Sequence, residues 1–341
     1  MDHHPFGARE LGRTGVTVPS LGLGCAPLGN LYRALPERQA HEVVRAAFAA
    51  GAGYFDTAPH YGAGLSEERL GRALRGHDRT TYTLSTKVGR RLRPLLPGEE
   101  VSGEGFVGAP ARARVRDHSR DGIRATLEAS LERLGVDAVD VVYLHDVEDH
   151  LREVYETGFP ALAELRAQRM VRAIGFGMNH SGVLARLVAD LDVDVVLCAG
   201  RWTLLERTAF DDLLPVCLRR GTSVVAGGVY NSGLLADPSP GAPYNYTPAP
   251  SGLLTRARQL SAVCAEFDVP LKAAALRFPF GHPAVASAVV GAATPGEMTE
   301  NAALFTRHIP DELWHTLVAR GLLDPDLPLP LNDRARPGAH P

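Results

Sequence analysis

Between Phe55 and Gly62 the chain reads FDTAPHYG, which sets a carboxylate, Asp56, and a phenol, Tyr61, at the exit of the apolar run Gly53-Tyr54-Phe55. Pro, His, Tyr and Gly interrupt regular structure there, so Asp56 to Tyr61 form a strand-to-loop transition, where folds place chemistry more often than scaffold. A cation stands in the run Tyr82 to Val88, where Lys87 lies among strand-forming residues and must be desolvated unless a partner meets it. Asp56 is the candidate partner. A third polar group, His145, closes the apolar run that begins at Val139. Taken singly, each has a plain alternative: Tyr61 as an amphipathic loop residue, Lys87 as a snorkelling edge lysine, His145 as a hydrogen-bonded core histidine. Three successive strands ending in Asp56, Lys87 and His145 read instead as an enzyme site.

The elements that must position these residues follow from periodicity. After a segment Glu10 to Val18 that reads as a hairpin around Gly12-Arg13-Thr14-Gly15, apolar runs alternate with helical patterns to about Phe305, the signature of parallel βα units. Strands are expected at Leu21–Cys25, Gly53–Thr57, Tyr82–Val88, Val139–His145, Val171–Gly177, Val193–Cys198, Thr222–Gly227 and Ala286–Gly291. Helices are expected over His41–Ala50, stopped by Gly51, and over Ser119–Leu134, with Ser119 as N-cap and Gly135 as terminator. This predicts one (β/α)8 TIM barrel over residues 1–341, with an N-terminal β-hairpin and a long loop, 89–118, after the third strand. A doubly wound sheet is the alternative, but polar groups at strand C-termini fit the functional face of a barrel. The Pro-rich stretch after Asp324, about 324–341, reads as a loose tail.

With 341 residues, 45% of them hydrophobic, the chain can bury a large core, and a net charge of −3 argues against nucleic acid as partner. The arginines between Arg90 and Arg120 are interrupted by Glu99, Glu100, Glu104 and Asp117, so a solvated loop is expected there. Cys25, Cys198, Cys217 and Cys264 lack paired spacing, which reads as four reduced thiols, no metal site and a cytoplasmic location. Met1 to Pro5 open no apolar leader, and no run of about 20 apolar residues offers a membrane span. No heptad seam anchors an oligomeric state.

The run Gly22-Leu23-Gly24-Cys25-Ala26-Pro27 imitates a dinucleotide fingerprint, but its third Gly is misplaced and Pro27 intrudes. Phosphate loops are expected late instead, at Gly227–Gly233 and Gly291–Gly296, whose backbone N–H groups can cradle a pyrophosphate.

With FDTAPHYG, STKVG, YLHD, IGFGMN and VVGAATPGEMTEN in this order, the sequence resembles the aldo-keto reductase family over essentially its whole length. The resemblance implies a (β/α)8 barrel that binds a nicotinamide cofactor across its C-terminal mouth, with Asp56, Tyr61, Lys87 and His145 as catalytic tetrad. Tyr61 is then the general acid/base, Lys87 favours its phenolate, Asp56 keeps Lys87 charged and placed, and His145 orients the substrate oxygen. Asn179 matches the residue that holds the nicotinamide carboxamide. Gly228, Val229, Tyr230, Ser232, Gly233 and Gly291 form the phosphate loops, and Glu300 and Asn301 match the adenine-contacting pair. The usual glutamine of the family is Ala199 here, and the aromatic that commonly stacks on the nicotinamide is Gly227; Trp202 is a candidate replacement wall.

Ala293 and Glu297 stand where members that use NADPH commonly carry Arg or Lys. A carboxylate repels a 2′-phosphate and accepts ribose hydroxyls, so NAD is expected over NADP. The segments GMN, AGRWTLLE and SLERLG are most similar to the branch of aldose and pyridoxal dehydrogenases. That branch implies a small sugar or aldehyde substrate, with an L-fucose or D-threo aldose oxidised to its lactone as first reading and pyridoxal or another carbonyl as second. Tyr32, His60 and Arg201 are candidate substrate donors. A redox-sensing module on the same scaffold is the alternative of a different class.

Overall fold

The structure is a computed structural model that describes residues 6–245 and 247–332. Two short strands open it, β1 (Ala8–Glu10) and β2 (Thr17–Pro19), paired antiparallel as the expected hairpin. Then follow β3 (Leu21–Gly24), β4 (Tyr54–Asp56) and β5 (Thr83–Val88), an antiparallel ribbon of β6 (Arg90–Pro94) and β7 (Arg112–Arg116), and β8 (Val141–His145). The chain continues through β9 (Ala173–Met178), β10 (Val195–Ala199), β11 (Ser223–Gly227), a small pair β12 (Pro243–Tyr244) and β13 (Thr247–Pro248), and β14 (Val285–Gly291). Strands β3, β4, β5, β8, β9, β10, β11 and β14 close into an eight-stranded parallel barrel, each expected strand falling within a residue or two of its place.

Parallel barrel strands are covered on both faces, which is why they read as unbroken apolar runs. In β8, Val141 and Tyr143 point inward to Tyr54, Val195, Leu197, Val225 and Val289, whereas Val142 and Leu144 pack outward beneath the helices. Leu11, Val16 and Val18 of the hairpin join the inner cluster and close the N-terminal end of the barrel. Thr83 Oγ1 donates to Thr17 O at 2.7 Å and Gly12 N to Ser223 Oγ at 2.8 Å, fastening that end.

The helix 120–134 begins as expected, with Ser119 Oγ accepting from Gly122 N at 3.0 Å, and ends at Gly135 with φ 65°. The helix expected from His41 starts earlier, at Glu37, because Pro36 sets its entry and Glu37 favours the positive end of its dipole. Outside the barrel, Glu67 is fully buried and takes hydrogen bonds from Thr86 Oγ1 and Arg133 Nε, both at 2.7 Å, so a buried charge is satisfied.

Two expectations require correction. The loop 89–118 is not simply solvated: its ends form the β6–β7 ribbon, and alternation puts Arg90, Arg112, Arg114 and Arg116 on one face of it, turned to the barrel. The stretch 324–332 is not the loose tail expected, since Leu327 and Leu329 are buried in the core and Gly281 leaves room for the Pro328 carbonyl. Residues 333–341 of that tail, like Met1 to Pro5, lie outside the described residues.

The loop that carries Tyr61 is pressed against the turn after β3. Gly62 has φ 61°, and a Cβ there would stand 2.3 Å from Gly29 O. Gly62→Ala is therefore expected to cost about 1–3 kcal/mol in urea unfolding and to lower turnover by moving Tyr61.

Candidate active site

Asp56 ends β4 and Lys87 lies one residue before the end of β5; side-chain alternation along β5 turns Ser85 and Lys87 to the interior together. Lys87 Nζ donates to Asp56 Oδ2 at 2.7 Å and to Thr57 O at 2.9 Å, while Ser85 Oγ donates to Asp56 Oδ1 at 2.7 Å. The ammonium and the carboxylate are 1% and 3% exposed. Below them Tyr54 Oη lies 3.1 Å from Ser85 Oγ and 3.2 Å from Tyr143 Oη, so a column of hydroxyls supports the pair from within the barrel. Burial acts to lower the Lys87 pKa, but Asp56 and Tyr61 outweigh it and hold the group well above the ordinary lysine value. The lysine is thus a permanent cation.

Tyr61 lies over that cation, its ring centroid 4.6 Å from Lys87 Nζ and its hydroxyl hydrogen-bonded to the ammonium. His145 meets the Tyr61 ring edge-on at 5.9 Å between centroids. Burial, followed by the charges of Arg90 and Lys87, pushes the His145 pKa well below the ordinary histidine value, so its imidazole is neutral. A phenol, a fixed cation and a neutral imidazole therefore converge at the C-terminal ends of β4, β5 and β8.

A model of the aldo/keto reductase family matches residues 20–319. The chain belongs to that family. A D-threo-aldose 1-dehydrogenase from a Pseudomonas species is 43% identical, with 91% of this chain and 96% of that protein covered. The pyridoxal 4-dehydrogenase of Microbacterium luteolum is 37% identical, with 92% and 97% covered. An aldo-keto reductase from Bacillus halodurans, solved in its holo form, superposes with a TM-score of 0.74 at 25% identity, covering 97% of this chain and 99% of that one. This aldo-keto reductase is thus an oxidoreductase, and the family uses nicotinamide cofactors. Among the described residues no helix is long and apolar enough to cross a membrane.

The rim of the aldo-keto reductase mouth fits such a cofactor. Asn179 follows β9, and its side-chain amide makes no hydrogen bond to a described residue, while its carbonyl accepts from Arg201 Nε at 2.7 Å. After β11, Gly228, Asn231, Ser232 and Gly233 all have positive φ, from 46° to 108°, and form a tight loop in which Asn231 N donates to Gly228 O at 2.8 Å and Gly233 N to Tyr230 O at 3.0 Å. Tyr230 Oη donates to Asn301 Oδ1 at 2.7 Å and ties this loop to the helix 295–306. That helix is capped by Thr294, whose Oγ1 accepts from Glu297 N at 3.1 Å, and Glu297 Oε2 reaches back to Ala293 N at 2.6 Å. Val229 is buried under the first loop and Gly291 ends β14.

Some site residues expected from sequence have other surroundings. Trp202 is 1% exposed, donates to Pro279 O at 2.9 Å and packs on Phe278, so it belongs to the core and presents no wall to a ligand. Arg201 supports Asn179. Tyr32 is exposed at the rim, where its N–H meets Gly105 O at 2.9 Å. His60 does reach the site, 5.5 Å from His145, but its Nδ1 is engaged by Arg90 Nη1 at 3.2 Å; burial and the guanidiniums of Arg90, Arg114 and Arg116 push its pKa down to about 2. Glu297 is not a free carboxylate, because Arg33 Nη2 meets its Oε1 at 2.9 Å, and Glu300 is paired with Lys272 at 2.5 Å.

Sequence reading missed Ser85, Phe106 and Arg33. Ser85 was within reach, since it shares the inward face of β5 with Lys87. Phe106, which covers Tyr61 and His60 at centroid distances of 6.1 and 5.4 Å, comes from the middle of the 89–118 segment and carries no local signal.

Asp56→Ala leaves the buried ammonium without its carboxylate and is expected to destabilise the fold by about 3–5 kcal/mol. Lys87→Met in the same chain should restore part of that loss, and denaturant unfolding of the two single variants and the double variant measures the coupling.

Proposed function

We propose that this enzyme oxidises an aldose of the L-fucose or D-threo type at its anomeric carbon, giving the lactone, with NAD preferred over NADP. The observation that carries the reading is the buried Lys87 ammonium, held on one side by Asp56 and on the other by Tyr61. The cofactor, when bound, supplies the acceptor for the hydride that leaves the anomeric carbon. Tyr61 takes the proton of the anomeric hydroxyl as that C–O bond becomes a carbonyl, and Lys87 stabilises the phenolate before the transfer. His145, neutral, hydrogen-bonds the same oxygen and orients it. Asn179 would hold the carboxamide of the cofactor, the loop 228–233 would lie along its pyrophosphate, and Glu300 and Asn301 would meet its adenine.

The aldose reading is supported by the similarity to the D-threo-aldose 1-dehydrogenase; the pyridoxal 4-dehydrogenase makes pyridoxal the second reading. Ala199 and Gly227 are partners in the β10–β11 register, so two small neighbours stand where the family's usual glutamine and stacking aromatic are expected, and a Cβ at Gly227 would stand 3.1 Å from Leu197 Cδ2. The NAD preference rests on the Arg33–Glu297 pair, in which the one carboxylate satisfies the guanidinium that would otherwise meet a 2′-phosphate.

Turnover measured through reduced-nicotinamide absorbance against a panel of aldoses and pyridoxal, with NAD and NADP offered separately, tests the reading. Sugar-dependent reduction of NAD is expected, and activity confined to pyridoxal would transfer the assignment to that substrate. Tyr61→Phe should lower kcat by about 10²- to 10⁴-fold with the cofactor dissociation constant unchanged, and near-normal turnover would refute its role. Glu297→Gln should release Arg33 and tighten NADP binding about 10-fold relative to NAD, read by fluorescence titration without substrate.

A further inference from the structure

The His145 ring is buried, yet it makes no hydrogen bond to a described residue. Its Nδ1 has no partner, and its Nε2 lies 3.5 Å from Asp146 Oδ2. A ring that must orient a substrate oxygen needs its place fixed by something else. The backbone after it is strained: Asp146 has φ 46°, a left-handed conformation that non-glycine residues adopt only where local bonds or packing hold it. Asp146 N donates to Gly177 O at 3.0 Å, which carries the β8–β9 ladder past the strand end and holds the N–H side of the peptide that joins His145 to Asp146, leaving its carbonyl and the peptide after it to other groups.

The enforcing groups come from the β6–β7 ribbon. Arg116 Nη1 donates to His145 O at 2.9 Å and also to Asp146 O, so one guanidinium grips the carbonyls on both sides of the strained residue's N–Cα–C unit. Arg90 Nη2 pairs with the Asp146 carboxylate, and its Nη1 meets His60 Nδ1 at 3.2 Å; the His60 ring in turn abuts His145 at 5.5 Å between centroids. Arg90 and Arg116 face each other in the ribbon register and share its inner face. The two cations therefore brace one turn from two directions, by its carbonyls and by its side chain.

We propose that Arg116 and Arg90 are positioning residues for His145: the ribbon clamps the left-handed turn at Asp146, and the clamp, not a hydrogen bond on the imidazole, sets where the ring points. The inference rests on the reading of His145 as the group that orients the reacting oxygen. It assigns the inserted segment a part in the chemistry besides covering the mouth.

The test compares Arg116→Ala, His145→Ala and the double variant with the wild type, with Arg93→Ala as a control from the outer face of the same ribbon, where its guanidinium holds Glu99. Arg116→Ala is expected to lower kcat by about 10- to 100-fold, the scale of a small misplacement of a reacting group, and to raise the primary deuterium isotope effect on kcat; the NAD dissociation constant should stay within about twofold. Because the clamp acts through His145, the double variant should be no slower than His145→Ala alone, and Arg93→Ala should match the wild type. Should Arg116→Ala not fold by circular dichroism, Arg116→Gln, which retains one donor, carries the test with an intermediate loss. Wild-type kcat and isotope effect in a folded Arg116 variant, or losses that add in the double variant, would overturn the proposal. Wild-type turnover in His145→Ala would instead overturn the reading of His145 itself, and the two failures are thereby distinguished.

Discussion

The ion pair between Asp56 and Lys87 is the constraint on which the rest of the site depends. Removing two charges from water costs several kcal/mol per ion, a cost that well-packed apolar residues would not incur, so the pair is poorly explained as a source of stability. It is satisfied on every side: Asp56 accepts from Ser85 and Lys87, and Lys87 also donates to Thr57 O. The same contacts link β4 to β5 through side chains in addition to their backbone ladder, in which Asp56 faces Ser85. What the interior gains is a charge that cannot move, placed directly beneath the Tyr61 hydroxyl.

Around that charge the molecule avoids further ionisation. His60 and His145 stay neutral because both are buried and both face arginines. The ribbon guanidiniums place most donors on carbonyls and carboxylates, Arg112 on Ala63 O and Glu68 and Arg114 on His60 O and Ser102 O, while Arg90 Nε and Arg114 Nη2 meet no acceptor among the described residues.

Much of this was legible in the chain because barrel strands are short, apolar and regularly spaced, and because the groups that end them stand out against that background. Asp56, Lys87 and His145 could be set side by side from strand order alone. What stayed hidden depends on distance in sequence. Arg33 meets Glu297 across 264 positions, and nothing near either residue announces the meeting. The ribbon was misread for a different reason: mixed charges signal solvent on average, yet Arg112, Arg114 and Arg116 alternate with Ala113 and Val115, and that period of two was the strand signal. Trp202 shows the opposite error, in which a residue type associated with binding sites sits in the core because its N–H finds a carbonyl at Pro279.

The hairpin at the start of the chain has a consequence for traffic. With Leu11, Val16 and Val18 sealed into the floor of the barrel, the described residues leave the reaction centre open from the C-terminal end of the strands alone. If a larger ligand lay across that opening with a smaller one beneath it, the two would have to exchange in a nested order, last in and first out, and the closed floor would be the reason.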